Sequence, residues 1–472
     1  MDILNKIPIN LGFFGHIDSG KTAIAEVLSE IISTAGIDAH PQSKSRGITI
    51  DLGFTSFILD DYIINLVDAP GHADLIKVSA SSVEIIDLAL IVIDINKGPQ
   101  IQTGEHLIMI QSLNIKNIIV ILNKIDLFTG DLNNEVIETR RFFESTVFGA
   151  DIPIFMVSAK EKTGFEQLKK GILDAIKTLD LQRDYQGDLI LPIDHYFNLK
   201  GKGTIITGTI VSGKVKINQE IIILPLNLKS RVKSIEIYSK NTELAKVGYR
   251  VGINIKNIDI KDLYRGSYIT DNPKEFEFTD IIEIKVNKSN LFKKEIKFGI
   301  QVHITIGMIT LAGRIHPYEE IEGRKIKKNI SGDETLFKAI LILNEKVLMR
   351  KGRNIMLLSR LDLPPTTLRI LGASNLIKIY KDIPSLYKYK IKTGRISKLD
   401  HPQGFICKDL AQSLEGARKI INRKLELPFS KILNTFGTKG SVIVGIRGEK
   451  KMIKINDPVI LKELRIIKLK KI

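Results

Sequence analysis

A segment near the start of the chain combines two glycines with one lysine and one threonine. Residues 15–22 read GHIDSGKT and lie between an apolar run at 9–14 and a helical pattern from residue 23. In a strand–loop–helix context, this spacing is typical of a loop whose backbone N–H groups surround a phosphate, aided by the partial positive charge of the helix N-terminus. We predict that the loop binds a nucleotide through Asp18, Ser19, Gly20, Lys21 and Thr22.

The polar side chains around this loop suit a triphosphate with a magnesium ion. The ammonium group of Lys21 is expected to reach the β- and γ-phosphates, and the hydroxyl of Thr22 to ligate Mg²⁺. Asp68 ends a strand pattern, and we expect its carboxylate to hold the same ion through a water molecule. Gly71 is expected to offer its N–H to a γ-phosphate that is present only in the triphosphate state.

Two later segments predict that the base is guanine. Residues 123–126 read NKID and residues 158–160 read SAK, each after an apolar strand pattern. The carboxylate of Asp126 matches the two N–H donors on a guanine edge, Lys124 can lie along the ring, and the last segment can present a backbone N–H to O6. We therefore predict GTP, with further contacts from Asn123, Lys124, Asp126, Ser158, Ala159 and Lys160.

Apolar runs alternate with helical patterns throughout residues 1–180. This alternation predicts an α/β domain with a parallel sheet and helices on both faces. The functional residues follow the strands, as expected for the carboxyl ends of an open α/β sheet. The predicted strands are 9–14, 62–68, 88–94, 118–123 and 153–158.

The composition is that of a globular protein with several domains. The chain has 472 residues, of which 43% are hydrophobic and 26% charged, so three or four domains are expected. The single cysteine, Cys407, excludes a disulfide framework and a cysteine-based zinc site. We see neither a signal peptide nor a long apolar stretch, which predicts a cytoplasmic protein without a membrane segment.

The positive charge is concentrated in the last 95 residues. Residues 378–472 hold 23 of the 70 basic residues and 8 of the 53 acidic ones, a net charge of +15 out of +17. This asymmetry favours contact with nucleic acid at that end of the chain, although a solvated lysine-rich surface remains the alternative.

The rest of the chain is predicted to be mostly β. β-branched runs separated by Gly and Asn predict a β-barrel at 181–272 and a second one at 273–377. Residues 378–472 predict a small β-rich domain with strands at 404–407, 441–446, 452–455 and 458–470, and one helix at 408–425. The predicted fold is thus an α/β P-loop GTPase domain (1–180), two β-barrels and a basic, mostly-β C-terminal domain.

Together with these motifs, residues 46–54 (RGITIDLGF) resemble switch I of the translational GTPases. The resemblance implies that Thr49 completes the Mg²⁺ shell and that His72 is the catalytic residue that positions the attacking water. It also implies that Ile17 and Ile48 form an apolar pair that screens this water. We identify no internal arginine finger, so hydrolysis is expected to need an external trigger, the ribosome.

Among translational GTPases the chain is most similar to SelB, the selenocysteine-specific elongation factors, in their archaeal form. The resemblance spans about residues 1–377, and a fourth domain also fits. It implies a GTPase that delivers selenocysteinyl-tRNA to the ribosome at recoded UGA codons. The residues that carry it are 47–54 (GITIDLGF), 96–105 (NKGPQIQTGE) and 192–195 (PIDH).

Two alternatives remain open from the sequence. Initiation factor 2 gamma, an initiator-tRNA carrier, has a similar switch I, but it typically contains a zinc knuckle that one cysteine cannot form. A GTP-dependent ribosome factor that binds no tRNA is the other alternative. Binding to methionyl initiator tRNA would favour initiation factor 2 gamma. Failure to bind any aminoacyl-tRNA would favour the ribosome factor.

The resemblance also implies an aminoacyl pocket in the first barrel. Bacterial members have an Asp-Arg pair where this chain has Asp194 and His195. A selenol is anionic at neutral pH, so a cationic pocket would favour it over the hydroxyl of serine. Because His is only partly charged near neutrality, Arg231 is our first choice for a permanent charge and Arg250 the second.

The expected partners are selenocysteinyl-tRNA and the ribosome. Through its charge, the C-terminal domain is predicted to bind RNA or the ribosome, and a selenoprotein mRNA element or the protein that binds this element is the further expected partner. We also expect a monomer that binds no membrane.

Overall fold

The structure is a computed structural model, and the chain forms two compact units. The first comprises residues 1–317, 329–382 and 471–472, and the second residues 318–328 and 383–470. None of the helices in the part of the chain that the structure describes is long and apolar enough to cross a membrane. The described residues are 3–29, 31–32, 53–68, 85–112, 114–199, 201, 203–264, 266–351, 355–426, 430–446 and 453–470.

The first unit begins with a seven-stranded sheet in the order β2-β3-β4-β1-β5-β6-β7. Its strands are β1 (Ile7–Phe14), β2 (Ile31–Ile32), β3 (Gly53–Leu59), β4 (Tyr62–Asp68), β5 (Leu88–Asp94), β6 (Ile118–Asn123) and β7 (Ile154–Val157). Strands β4, β1, β5, β6 and β7 are parallel, whereas β2 and β3 are antiparallel additions at one edge. The carboxyl ends of the parallel strands therefore meet at one edge, where the predicted nucleotide residues lie.

Helices cover both faces of this sheet because its central strands are apolar along their whole length. They are α1 (Lys21–Leu28), α2 (Ile101–Ser112), α3 (Leu132–Glu144) and α4 (Phe165–Lys177). One core cluster joins α1 and α4 to the sheet, and a second joins α2 and α3 to its other face. The predicted α/β domain is confirmed, and β4, β5 and β6 have the predicted bounds.

The next part of the first unit is the predicted β-barrel. A sheet in the order β8-β17-β12-β13-β16-β10-β9, with β14 on β13, surrounds one apolar core beside the pair β11-β15. The strands are β8 (Ile190–Pro192), β9 (His195–Leu199), β10 (Gly203–Thr209), β11 (Lys214–Lys216), β12 (Glu220–Leu224), β13 (Leu228–Ile237), β14 (Lys240–Thr242), β15 (Leu244–Lys246), β16 (Arg250–Ile255) and β17 (Tyr268–Thr270).

A second barrel completes the first unit. Its strands follow the order β19-β23-β24-β18-β22-β20, and pairing of β19 with β20 closes the ring around an apolar core. The strands of this region are β18 (Phe276–Lys288), β19 (Ile300–Ile306), β20 (Ile309–Ile321), β21 (Arg324–Lys327), β22 (Leu336–Arg350), β23 (Ile355–Ser359) and β24 (Ile370–Ile379).

The second unit is a sheet in the order β21-β25-β26-β28-β27, with β29 on the other side of β25. It contains residues 318–328 in addition to 383–470, so its limits differ from the predicted 378–472, and the predicted domain boundaries stay predictions. Its further elements are β25 (Leu386–His401), β26 (Gly404–Lys408), α5 (Leu414–Arg418), β27 (Ser430–Phe436), β28 (Ser441–Ile446) and β29 (Pro458–Ile467).

Two predicted elements of this unit are wrong. The helix predicted at 408–425 shrinks to α5, because the backbone beyond it pairs with β27: the N–H of Ile432 donates to the carbonyl of Arg423 (2.9 Å). Of the strand predicted at 452–455, the described residues form a turn, in which the carboxylate of Asp457 accepts the N–H of Lys454 (2.6 Å).

Candidate functional site

Two glycines of the loop between β1 and α1 hold conformations that other residues rarely adopt. Gly15 has φ +139° and Gly20 has φ +91°. A Cβ atom on Gly15 would lie 2.1 Å from the carbonyl oxygen of Val92, and one on Gly20 would lie 2.1 Å from Nδ2 of Asn123. The loop can therefore pack against β5 and β6 only because these residues lack side chains.

Lys21 is buried under the same loop, with 6% of its side chain exposed. Its Nζ donates to the carbonyl oxygens of Gly15 (3.1 Å) and His16 (2.8 Å). Burial lowers the pKa of Lys21 to about 8, against the opposing effects of the Asp68 and Asp18 carboxylates. The ammonium group is thus held at the loop by weak neutral acceptors, which the oxygens of a phosphate can replace.

Thr22 and Asp68 form a pair of oxygen ligands at the ends of α1 and β4. The hydroxyl of Thr22 donates to Oδ2 of Asp68 (2.7 Å), and Asp68 is fully buried. Hydroxyl and carboxylate oxygens are the ligands that Mg²⁺ prefers, so this donor set fits the predicted ion. The other predicted residues of this side, Thr49, Gly71 and His72, lie outside the described residues together with Ile48.

Asn123 joins three of the predicted loops. Its Nδ2 donates to the carbonyl oxygen of Ser19 (2.9 Å), and its Oδ1 accepts the N–H of Ala159 (3.2 Å). With only 2% of its surface exposed, Asn123 is almost entirely enclosed by these loops. Its amide therefore fixes the separation between the phosphate loop and the two loops predicted to bind the base, 123–126 and 158–160.

Asp126 and Lys124 are oriented by neighbours. The hydroxyl of Ser158 donates to Oδ1 of Asp126 (2.6 Å), and Nζ of Lys124 donates to Oδ2 of Asp94 (2.8 Å). Burial alone would raise the pKa of Asp94, but hydrogen bonds from Lys124 and Asn96 lower it overall. Asp94 was not predicted as a site residue; its position at the end of β5 was the available signal.

Lys160 and Asp18 lie at the surface of the site. Lys160 is 74% exposed and 3.7 Å from Glu161, whereas Asp18 is exposed with φ +60°. The structure thus brings the described nucleotide residues of the prediction to one edge of the sheet.

His106 is a residue of this site that the sequence analysis missed. Its Nδ1 accepts the backbone N–H of Gly15 (3.0 Å) from within helix α2. Burial and the nearby charge of Lys21 lower the pKa of His106 to about 3, so the ring is neutral and can act as an acceptor. A histidine directly before the apolar stretch 107–110 of α2 was the available sequence signal.

The predicted aminoacyl residues Asp194 and His195 form one cluster at the start of β9. The carboxylate of Asp194 is buried and accepts hydrogen bonds from Thr207 Oγ1 (2.7 Å), His195 Nδ1 (3.0 Å) and both terminal nitrogens of Arg250. Burial by itself would raise the pKa of Asp194, but the Arg250 guanidinium holds it well below its usual range. The cluster is therefore centred on an ionised carboxylate.

Arg250, our second choice, is the arginine of this cluster. It is 5% exposed, and its guanidinium carbon lies 3.5 Å from the ring centroid of Phe54 at the start of β3. The His195 ring meets the same phenyl ring edge-on, with centroids 6.1 Å apart. Phe54, the last residue of the switch I motif, was not predicted as part of the pocket.

The structure does not bring Arg231 to Asp194 and His195. It lies on β13, is 49% exposed and donates to Oε1 of Glu220 (2.7 Å), its partner across β12 and β13. A positive charge in the right domain was the only basis for choosing it. The sequence could not show which side of the barrel its side chain occupies.

Profiles of three known domain families match this chain in sequence order. Elongation factor Tu GTP binding domain matches residues 6–178, Elongation factor Tu domain 2 matches 203–270, and Archaeal selenocysteine-specific elongation factor, domain III, matches 276–380. Together they cover the α/β domain and both barrels of the first unit.

Whole chains are similar as well. A selenocysteine-specific elongation factor from Methanocaldococcus jannaschii is 38% identical over 471 residues, 97% of each chain. The mouse selenocysteine-specific elongation factor is 36% identical over 334 residues, 66% of this chain and 56% of its own. The crystal structure of SelB from Methanococcus maripaludis with the GTP analogue GppNHp matches with a TM-score of 0.82 and 37% identity, over 98% of this chain and 99% of that one.

These similarities confirm a GTP-binding domain with GTPase activity and favour the predicted family over initiation factor 2 gamma. They extend beyond the nucleotide domain, through a third domain specific to the archaeal factors, to nearly the full length of an archaeal relative. The chain therefore belongs to the archaeal selenocysteine-specific elongation factors, the SelB family of translational GTPases.

Proposed function

We propose that this chain binds selenocysteinyl-tRNA in its GTP state and delivers it to the ribosome at recoded UGA codons, where GTP is hydrolysed. The observation that carries the proposal is the cluster of Asp194, His195 and Arg250 against Phe54, in the same unit as the described GTP-binding loops. A nucleotide site next to an amino-acid pocket is what a carrier needs, since the nucleotide state must control the retention of its cargo.

In the nucleotide site, the protein's part is to position charge. Lys21 and the N–H groups of residues 18–22 would hold the β- and γ-phosphates, with Gly71 at the γ-phosphate. Thr22 and, through water, Asp68 would hold Mg²⁺ together with Thr49, and the bound ion would offset negative charge on these phosphates. Asp126 and the loop 158–160 would bind guanine, in the orientation set by Asn123 and Ser158.

His72 is proposed to orient the attacking water when the ribosome engages the factor. A histidine can do so by accepting a hydrogen bond from the water at a ring nitrogen. The ribosome then acts as the external trigger, comparable to the partner proteins that accelerate small GTPases by about 10⁵-fold.

His195 is the residue of the pocket cluster that can reach a bound amino acid. It is 28% exposed on its side chain, whereas Asp194 and Arg250 are nearly inaccessible. The bond between Nδ1 of His195 and Asp194 orients the ring. In its protonated form His195 would donate from Nε2 to a selenolate, and Arg250 would add positive charge behind it. A neutral seryl hydroxyl would gain less from the same charges, which supplies the discrimination.

The direct test compares binding of the GTP-loaded protein to selenocysteinyl-, seryl- and initiator methionyl-tRNA. We expect a strong preference for the selenocysteinyl form and its loss when GDP replaces GTP. Preference for the initiator would point to an initiation carrier. Binding to none of the three would point to a ribosome factor without tRNA cargo.

For the second unit we propose contact with RNA phosphates near the selenocysteine codon, on an mRNA element or beside a protein bound to it. Its residues 383–470 carry 20 Lys and Arg against 7 Asp and Glu. Affinity for RNA should then fall steeply with added salt. We also propose that the factor acts as a monomer in the cytoplasm.

A further inference from the structure

The second unit contains a cavity on the solvent side of its sheet. The other side of the same strands forms the core, through Ile396, Cys407 and Val442. The cavity has a volume of about 290 Å³ and lies between β25, β26 and the turn that joins β27 to β28. The lining residues that matter here are Lys398, Ile406, Lys408, Phe436, Lys439 and Ser441.

Strand pairing places these side chains around one depression. Phe436 is paired with Ser441 across β27 and β28, and Cys407 is paired with Val442 across β26 and β28. The next residue of β26, Lys408, therefore lies beside Ser441. Ile406 and Ser441, which are 3% and 9% exposed, form the floor of the depression.

The three lysines around this floor carry uncompensated charge. Within the described part of the chain, no carboxylate lies within 4.0 Å of the ammonium groups of Lys398, Lys408 or Lys439. Other cations of the same unit are paired: Lys392 lies 2.8 Å from Glu463, and Arg395 lies 3.0 Å from Asp409. The cavity is thus a local concentration of positive charge that can attract an anion.

An aromatic ring stands in the wall of the same cavity. Phe436 is 40% exposed, and its ring is met edge-on by His401 with the centroids 6.0 Å apart. An exposed phenyl face beside cations is the combination by which proteins bind unpaired nucleotides, since the ring stacks on the base while lysines contact the phosphates. An acidic peptide would use the lysines but would gain little from the ring.

We propose that this cavity binds a nucleotide of a single-stranded RNA segment, with the base on Phe436 and the adjoining phosphates on Lys398, Lys408 and Lys439. The inference rests on the RNA contact proposed above for the second unit. It adds to that contact a defined site and a preference for unpaired RNA over duplex.

The first experiment uses the full chain with Phe436→Trp. The natural chain has 11 tyrosines but no tryptophan, so this substitution introduces a single tryptophan at the site, which can be excited selectively. We expect its fluorescence to be quenched when oligouridine or oligoadenosine binds, and to change little on addition of polyglutamate or duplex RNA. Binding of oligonucleotides, seen by anisotropy of a labelled strand, without any quenching would overturn the proposal.

The second experiment separates stacking from charge. Phe436→Ala should weaken binding of the labelled strand by about 5- to 150-fold without changing its salt dependence. Replacing the three lysines by alanine should lower the salt slope by about 2, the value for three phosphate contacts on a single strand. Lys419→Ala is the matched control, because Lys419 is equally exposed but lies 2.6 Å from Glu415.

The outcomes distinguish this site from the broader proposal. A natural chain that binds no RNA, or binds it without salt dependence, would contradict the RNA contact itself. Two results would contradict only the site. The first is RNA binding that depends steeply on salt but has the same affinity in Phe436→Ala. The second is an equal loss of RNA affinity in the lysine variant and in Lys419→Ala. GTP binding, which uses the first unit, should stay unchanged in all variants, and an unchanged circular-dichroism spectrum and thermal unfolding would verify that the second unit folds.

Discussion

The nucleotide site and the pocket around Asp194 are both polar, but they are built in opposite ways. In the nucleotide site, adjacent loops meet at the edge of one sheet, where the neutral amide of Asn123 joins Ser19 to Ala159. In the pocket, one buried carboxylate collects donors from β9, β10 and β16 and opposes the charge of Arg250.

The difference shows where each site is vulnerable. The nucleotide loops depend on backbone shape, so a small steric change should remove binding while the fold survives. The pocket depends on a charge pair, and loss of one partner leaves the other charge buried and uncompensated. The predictions below test this contrast, from the largest expected effect to the smallest.

Gly20→Ala should abolish GTP binding. The new Cβ would lie 2.1 Å from Nδ2 of Asn123 at a φ of +91°, so the phosphate loop must move. We expect a loss of affinity of at least about 100-fold for a fluorescent GTP analogue, equivalent to about 2.7 kcal/mol. Gly98→Ala is the control, since Gly98 also has positive φ (+63°) but no atom within 4 Å of its Cβ position. Equal effects of both substitutions would contradict the role of the close approach.

Asp194→Asn should lower the free energy of unfolding by about 3–5 kcal/mol, the cost of breaking a buried ion pair. Urea denaturation of the nucleotide-free protein measures it, with Arg231→Ala as the exposed control that should change stability by no more than about 0.5 kcal/mol. If Arg231→Ala were the more damaging of the two, the charge-pair description of the pocket would be wrong.

The same pair predicts a pH dependence of stability. The folded-state pKa of Asp194 lies below its unfolded value, so the carboxylate stabilises the fold above about pH 4 and this contribution is lost as the pH falls toward the folded pKa. The difference in stability between the natural chain and Asp194→Asn should therefore shrink on acidification. A difference that stays constant would argue against a lowered pKa of Asp194.

His195→Ala should weaken binding of selenocysteinyl-tRNA by about 10- to 150-fold, the range for a hydrogen bond to a charged group. Affinity for seryl-tRNA should change less, and GTP affinity should stay the same. Arg231→Ala, measured in parallel, should leave all three affinities unchanged. Equal losses for seryl- and selenocysteinyl-tRNA would show that His195 does not discriminate between the two amino acids.

GTP affinity should decline at alkaline pH because of Lys21. Its pKa of about 8 in the free protein means that the ammonium form is half populated near pH 8, predominates at lower pH and is lost at higher pH. Since phosphate binding favours the charged form, the dissociation constant should rise by up to about tenfold per pH unit above 8 and stay flat below. Thermal unfolding over the same range separates this effect from loss of the fold. A flat profile up to pH 9 would contradict it.

The basic second unit shows how tertiary contacts override local pattern. A helix was predicted at 408–425, yet only Leu414–Arg418 is helical, because β27 takes the backbone of the following residues as hydrogen-bond partners. The apolar positions of that pattern still reach the core, through Ala417, Ile420 and Leu425. The apolar residues of the pattern are thus buried, but the secondary structure predicted for them, a helix over 408–425, is wrong.

The sequence by itself determined the α/β domain and the residues of its nucleotide loops, because those motifs are local: a few consecutive residues, each directly after a strand, set their own backbone geometry. Only the tertiary structure decided which arginine lies against Asp194. Arg250 and Arg231 are equally basic, but β16 pairs with β10, whose residue Thr207 faces His195, whereas β13 places Arg231 opposite Glu220. The charge of an arginine can be read from the sequence, but the residue it contacts depends on which strands pair and in which register.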